Sequence, residues 1–391
     1  MCVRTLRLSC LLTLILLFSS CKAGQDQGPD VTRVDSAGVE VVTLSGPGRT
    51  LDWEFVEEWR LGGADEGPSS FSFLHESRVE TDAVGNVFVL DSQAGHVAVF
   101  DTRGQHLRII GREGEGPGEF RRPVNLSVDP DGSVSVWDFG KRGLVRFSPD
   151  GEYRDLWQPE IRYQGPMLEA WNGSLIFTQM TVTEGQAIET SLVRFDGDST
   201  RVFSSMTQPP RAPIPVPGCP VQIPVAPIFS PTMVWDSEDD RTVAVSGGEY
   251  ELGLFLGDRL VQKIRWDAPL RETTREMAVQ ELGEGFTIGL SSGPCTSPAE
   301  EMVDAQGYAE YLQAIHSVKL SPQNEVWAER GLVRGEQNII DVFREGRYLG
   351  TLPPGFPFPA AFPTEDRLLA VELDEFDVPY LVSYRLERGS F

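Results

Sequence analysis

The sequence predicts an all-β fold, a six-bladed β-propeller, and three observations lead there. A unit of about 47 residues repeats, apolar and polar residues alternate within it, and glycine turns separate its strands. The repeat is plainest between Thr81–Gln105 and Val128–Glu152. Asp82 aligns with Asp129, Gly85 with Gly132, Val87 and Val89 with Val134 and Val136, Asp91 with Asp138, Phe100 with Phe147, and Gly104 with Gly151. The preceding stretches, Leu61–Phe71 and Ile110–Phe120, align at an offset of 49. Alternation marks a strand with one buried face. Asp131-Gly132, Asp150-Gly151 and Asn172-Gly173 are hairpin pairs, whose turn needs positive φ. Four short strands in a unit of about 40–50 residues is the pattern of a propeller blade.

Taken in order, blade one covers 77–111, blade two 123–157, blade three 167–206, blade four 229–267 and blade five 315–352. Blade six has three strands, in PAAFPT, RLLAVELD and YLVSYRL; its outer strand is assigned to Phe55–Leu61, which aligns with the fourth strand of blade one. Closing the ring with strands from both ends of the chain removes exposed sheet edges.

Two segments lie outside the blades. Residues 206–231 hold nine prolines and are expected to stay out of any sheet. Residues 268–314 carry two capping-box patterns, Thr273-x-x-Glu276 and Ser297-x-x-Glu300, with Pro298 at the first helical position. Both connect the outer strand of one blade to the inner strand of the next. Such connections emerge on one face of a propeller, together with the loops between second and third strands, so both insertions are expected on the face that carries Gly111–Pro123. Each contains one cysteine, and a Cys219–Cys295 disulfide is expected between them.

Ahead of the fold, residues 1–20 read as a signal peptide: Arg4 and Arg7, then the apolar run Cys10–Phe18, too short to span a bilayer. Phe18-Ser19-Ser20-Cys21 resembles the lipobox of bacterial lipoproteins, which implies lipidation at Cys21. Residues 21–37 are then a lipidated flexible tether and 38–391 the propeller. The expected location is the bacterial cell envelope, on its periplasmic or cell-surface side. The net charge of −24, with 34 basic against 58 acidic residues, disfavours nucleic acid and anionic lipid surfaces. A monomer touching the membrane only through its lipid is expected.

The repeat resembles the NHL-repeat and TolB-like six-bladed propellers. The resemblance is strongest over 78–157, in GNVFVLD, VAVFDTRG and the linker GEGPGEFRRP, and extends weakly over 39–386. It implies the fold and says little of activity, because propellers host many unrelated functions. Some NHL-type lyases hold zinc through three axial histidines. Of the four histidines here, only His316 and His75 lie near the start of an inner strand, while His96 begins a third strand and His106 an outer one. Gluconolactonase- and paraoxonase-like propellers hold calcium through axial oxygens. Glu76 and Asn125 offer such oxygens at inner-strand starts, but the other four blades do not, and calcium takes six to eight. No catalytic residue, metal site or cofactor is therefore assigned.

One grouping stands out. Arg112, Arg121, Arg122, Arg142, Arg211 and Arg334, with His316, all fall on the insertion-bearing face, alongside Lys141 and Arg330. Glu113, Glu115, Glu119, Glu329 and Glu336 are interleaved with them, so the group reads either as an ion-paired rim or as an anion-binding mouth. The expected function is an envelope-anchored binding or scaffold module recognising a peptide, glycan or partner protein on that face. The alternative is a propeller-type hydrolase or lyase with an axial site.

Overall fold

A computed structural model describes residues 28–389, apart from 64–66, 68, 72–73, 76–77, 162–167, 184–186, 292 and 377. The signal peptide, Cys21, the first part of the tether and Glu76 lie outside the described residues. Six sheets of at least four strands make up the body, each with an antiparallel four-stranded blade. In blade two the strands are Pro123–Val128, Val134–Asp138, Gly143–Phe147 and Tyr153–Trp157, laid side by side from inner to outer. The second strand of blade one, Val87–Asp91, is buried at every residue, whereas the outer strand His106–Ile110 buries one residue of five. Middle strands have a neighbouring blade on each face, so their hydrophobic runs are continuous, as in any sheet covered on both sides.

The core is divided among the joints between blades, one cluster per joint. Phe88, Val99, Phe120, Val136 and Phe147 pack between blades one and two, and Trp137, Leu168 and Phe177 between two and three. Trp235 and Phe255 sit between three and four, Tyr250 and Phe343 between four and five, Trp327 and Phe362 between five and six, and Val89 and Leu369 between six and one. The last of these closes the ring. Two glycines show what the repeat is constrained by. Gly132 takes φ +85° in the Asp129–Ser133 turn, where its N–H reaches the Asp129 carbonyl at 2.8 Å. Gly111, at φ +71°, leaves room for the Phe120 ring, which a Cβ would meet at 2.3 Å.

Blade six is completed as the alignment requires: Trp53–Gly62 pairs antiparallel with Pro379–Arg388. The chain before it departs from the expected tether. Asp30–Ser36 and Val39–Ser45 form a hairpin, and Val39–Ser45 adds in parallel to the outer strand of blade four, Arg259–Asp267, making a six-stranded sheet. Asp30–Ser36 is exposed at all seven positions. It gains backbone hydrogen bonds but buries no side chain, so it has no apolar periodicity to betray it. Between the hairpin and Trp53 the chain crosses blade five. Thr351 donates its N–H to the Arg49 carbonyl at 2.8 Å, and the Leu51 N–H returns to the Thr351 carbonyl at 2.8 Å.

The two insertions form one cap. The first contains a hairpin, Pro213–Pro215 with Gln222–Pro224, so its prolines do enter a sheet, but a two-stranded one in which both strands are edges and a missing N–H is tolerated. The second contains helix α1 (Arg275–Leu282), a hairpin of Phe286–Leu290 with Gly293–Ser297, and helix α2 (Ala299–Gln306). Both helices start one residue later than expected. Thr274 caps α1, accepting the Met277 N–H at 3.2 Å, while the Thr273 hydroxyl donates to the Ala309 carbonyl instead. Pro298 stands at the cap of α2 rather than inside it, and Ser297 belongs to the preceding strand. The insertions interlock: the Ile228 N–H reaches Gly307 O at 3.0 Å, and Ala309 N–H reaches Ile228 O at 2.8 Å. The Gln313 side chain both accepts from and donates to the Thr232 backbone at 2.9 Å, over a small core of Ile228, Ala278 and Val303. Cys219 and Cys295 form a disulfide with Cα atoms 6.0 Å apart.

Candidate functional site

The strand order fixes two faces. Inner strands run away from the capped face and end in short turns on the opposite one: Asp82–Asn86, Asp129–Ser133, Asn172-Gly173, Asp239-Asp240, Ser321–Asn324 and Glu365-Asp366. Where those six ends converge, a cavity of about 520 Å³ opens along the axis. Its walls carry Glu80 from blade one, Glu169 from blade three, Glu238 from blade four and Lys319 from blade five, with Asp82, Asp239 and Glu365 near the mouth.

These side chains reach the axis because of strand periodicity. Glu80 stands between Val79 and Thr81 on the inner strand of blade one, Glu169 follows Leu168 on Leu168–Trp171, and Lys319 lies between Val318 and Leu320 on Ile315–Leu320. Val79, Leu168, Val318 and Leu320 pack into the inter-blade clusters, which turns the charged neighbours toward the axis. Lys319 Nζ contacts Asp236 Oδ1 at 3.0 Å, and Asp236 Oδ2 accepts the Leu320 N–H at 2.7 Å. Arg194, which also lines the cavity, is paired with Asp240 at 2.9 Å.

The electrostatics follow from burial. Burial pushes the Glu80 carboxyl up to about 8, against the pull of the Lys319 ammonium, with Asp236 and Glu238 adding to the rise. Burial likewise lifts Glu169 well above the ordinary range, reinforced by Glu80. Glu238 rises to about 7 through burial and the neighbouring Asp236. For Lys319, burial opposes the charge, but Asp236, Glu80 and Glu169 outweigh it and hold the ammonium above its usual range. Carboxyls raised toward neutral pH in a concave site can exchange a proton there, and in their ionised form meet a cation. Among the described residues, no group of His, Cys, Asp and Glu is close enough to hold a metal ion.

The residues singled out in the sequence lie elsewhere. Arg112 pairs with Glu119 at 2.7 Å and Arg121 with Glu115 at 3.6 Å, while Arg122 lies 5.1 Å over the Phe139 ring. Arg142 is exposed in the second turn of blade two. Three of the four lie in the linker between blades one and two and Arg142 in the second turn of blade two, with Arg112 and Arg121 ion-paired. Arg211 donates to Gln208 Oε1 at 2.9 Å, and Arg334 is exposed at the cap margin, its N–H on Glu281 Oε2 at 2.9 Å. His316 is exposed in a separate, open hollow of about 620 Å³ with Glu329, Glu336, Asn338, Phe356 and Tyr384. Asn125 is buried.

Sequence reasoning missed the axial carboxyls because it searched the starts of the inner strands. The signal was present at their other ends: a charged residue just before the first turn in blades one, three and five, flanked by apolar residues in three and five and preceded by Val79 in one.

A family model described as a 6-bladed beta-propeller matches residues 66–214. No curated protein matches the chain. Among solved structures, the chain is similar to a protein of Bacteroides fragilis described as exported, at 9% identity over 90% of this chain and 100% of that one, with a TM-score of 0.49. It is also similar to a member of the duf4221 family from Bacteroides vulgatus, at 11% identity over 87% and 100%, with a TM-score of 0.48. A gluconolactonase from Xanthomonas campestris aligns at 12% identity over 90% and 100%, with a TM-score of 0.36. By its sheet order, its ring of six inter-blade cores and the matching family model, the chain is a six-bladed β-propeller.

Proposed function

We propose that the protein is a binding or scaffold module of the bacterial cell envelope, tethered through a lipid on Cys21, that docks a peptide, glycan or partner protein on its capped face. The observation that supports this most is the cap. A propeller needs only a few residues between blades, yet two long insertions are ordered here into one unit and joined by a disulfide. Long loops in a compact domain are usually functional when they are not disordered. The test deletes 275–312 together with Cys219→Ser and compares cross-linked species in intact envelopes with those of the full chain. Loss of a discrete cross-linked partner, with the propeller still folded by circular dichroism, is the expected result. An unchanged cross-linking pattern overturns the docking face. For the anchor, Cys21→Ala should shift the protein from the membrane fraction to the soluble one, and a soluble wild type overturns it.

A second reading, a propeller-type hydrolase or lyase with an axial site, is favoured by the raised carboxyls Glu80 and Glu238, which suit general acid catalysis near neutral pH. It requires the purified protein to turn over members of a lactone and ester panel, with Glu80→Gln inactive. No turnover by the wild type rejects it.

A further inference from the structure

The axial cavity lies on the face away from the cap, and its acidic groups outnumber its basic ones. Lys319 is neutralised by Asp236 at 3.0 Å, and Arg194 by Asp240 at 2.9 Å. That leaves Glu80, Glu169 and Glu238 facing the cavity, with no hydrogen bond or ion pair to any of the three carboxyls among the described residues. The three are half-buried on the cavity wall, and carboxyls gathered in one hollow without a partner call for an occupant. The three come from blades one, three and four, and no metal-sized cluster forms among the described residues. They therefore suit several separated positive charges better than one ion. Between them the wall is apolar, at Val84, Val128, Ile176, Phe362 and Pro363. The volume of about 520 Å³ falls within the few-hundred to ~1,000 Å³ typical of small-molecule sites.

We propose that this cavity binds a small aliphatic polyamine, its ammonium groups meeting Glu80, Glu169 and Glu238 and its methylene segments lying on the apolar wall between them. The acidic mouth, with Asp82, Asp239 and Glu365, concentrates cations at the entrance. A cation beside Glu80, whose carboxyl burial raises to about 8, favours its ionised form, so binding releases protons. Proton release separates binding in the cavity from binding on the protein's negatively charged surface.

The experiment titrates spermidine into the purified mature chain at pH 7.5 by calorimetry, in two buffers of different ionisation enthalpy and in 150 mM salt. The expected result is one saturable site whose heat depends on the buffer. Glu80→Gln combined with Glu169→Gln should weaken it at least tenfold without lowering the thermal midpoint. Glu300→Gln combined with Glu301→Gln, exposed acids on the capped face, should leave it unchanged. The proposal is overturned by absence of a saturable site up to millimolar spermidine, by magnesium competing at equal concentration, or by equal losses in the two double variants. None of these outcomes bears on the capped face, whose own test is the 275–312 deletion.

Discussion

Glu80→Gln should make the protein more stable at alkaline pH and leave it unchanged in acid. The Glu80 carboxyl has an ordinary value of 4.5 and is raised by burial to about 8 in the fold. Below pH 4.5 both folded and unfolded chains carry the proton, so the group contributes no pH dependence. From there to about 8 only the folded chain keeps it, and stability falls as pH rises; above about 8 both forms are ionised and the loss is complete. At about 1.4 kcal/mol per pH unit, the interval corresponds to on the order of 5 kcal/mol. Glutamine fills nearly the same volume and never ionises, so the variant escapes this loss, while Lys319 keeps its partner Asp236. Urea unfolding followed by tryptophan fluorescence at pH 5, 7 and 9 measures it: the two midpoints should be close at pH 5 and separate progressively toward pH 9. Midpoints that stay parallel across the range would refute the argument, because they would mean that the carboxyl titrates alike in the folded and unfolded chains.

Two further predictions concern stability. Asp341 is fully buried and accepts hydrogen bonds from Nε and Nη2 of Arg330, at 2.8 and 3.0 Å, together with one from the Tyr250 hydroxyl at 2.8 Å across the joint between blades four and five. Asp341→Ala leaves that guanidinium and phenol without their acceptor and should cost about 3–5 kcal/mol, read from urea midpoints; a loss under about 1 kcal/mol would show that the network is dispensable. Cys219→Ser combined with Cys295→Ser opens a loop of 76 residues, worth about 4.5 kcal/mol in the chain-entropy model. Because the disulfide joins cap to cap, hydrogen exchange should accelerate over 209–233 and 268–314 and stay unchanged in the blades. Acceleration throughout would mean that the cap and ring unfold as one.

The blades were legible because short strand-length apolar stretches recur between glycine turns, and both signals are local, although the middle strands prove buried on both faces instead of alternating. Phe55–Leu61 was recoverable as the closing strand because the blade repeat supplied a template. Asp30–Ser36 was not, since an edge strand with every side chain in solvent leaves no mark beyond backbone pairing. The cap of α1 slipped by one because Thr273 and Thr274 are chemically equivalent until tertiary contact gives the Thr273 hydroxyl to Ala309, and that of α2 because Ser297 is taken by the preceding strand. The axial cluster is a matter of long range: Glu80 and Lys319 lie far apart in sequence, and only ring closure brings them onto one cavity wall. The arginine grouping was visible as composition, but its pairing with Glu115 and Glu119 depends on how the linker between blades one and two is shaped.

The N-terminal segment acts as a belt, and this bears on the order in which the molecule can be made. The segment touches blade four at Val39–Ser45, blade five at Arg49–Leu51 and blade six at Trp53–Gly62. Its contacts span 222 residues at Glu40–Gln262 and 300 at Arg49–Leu349. The first part of the fold to be synthesised therefore finds its partners only after the last blades exist, and contacts of such long range form late. Until then Leu51, Trp53 and Phe55 have no joint to enter, and three blade edges stay open. A chain cut short anywhere before residue 388 cannot fasten the belt completely and displays unpaired edges, the feature on which aggregation and proteolysis act. The closure thus doubles as a completeness check, because the full belt is buckled only on a full-length ring.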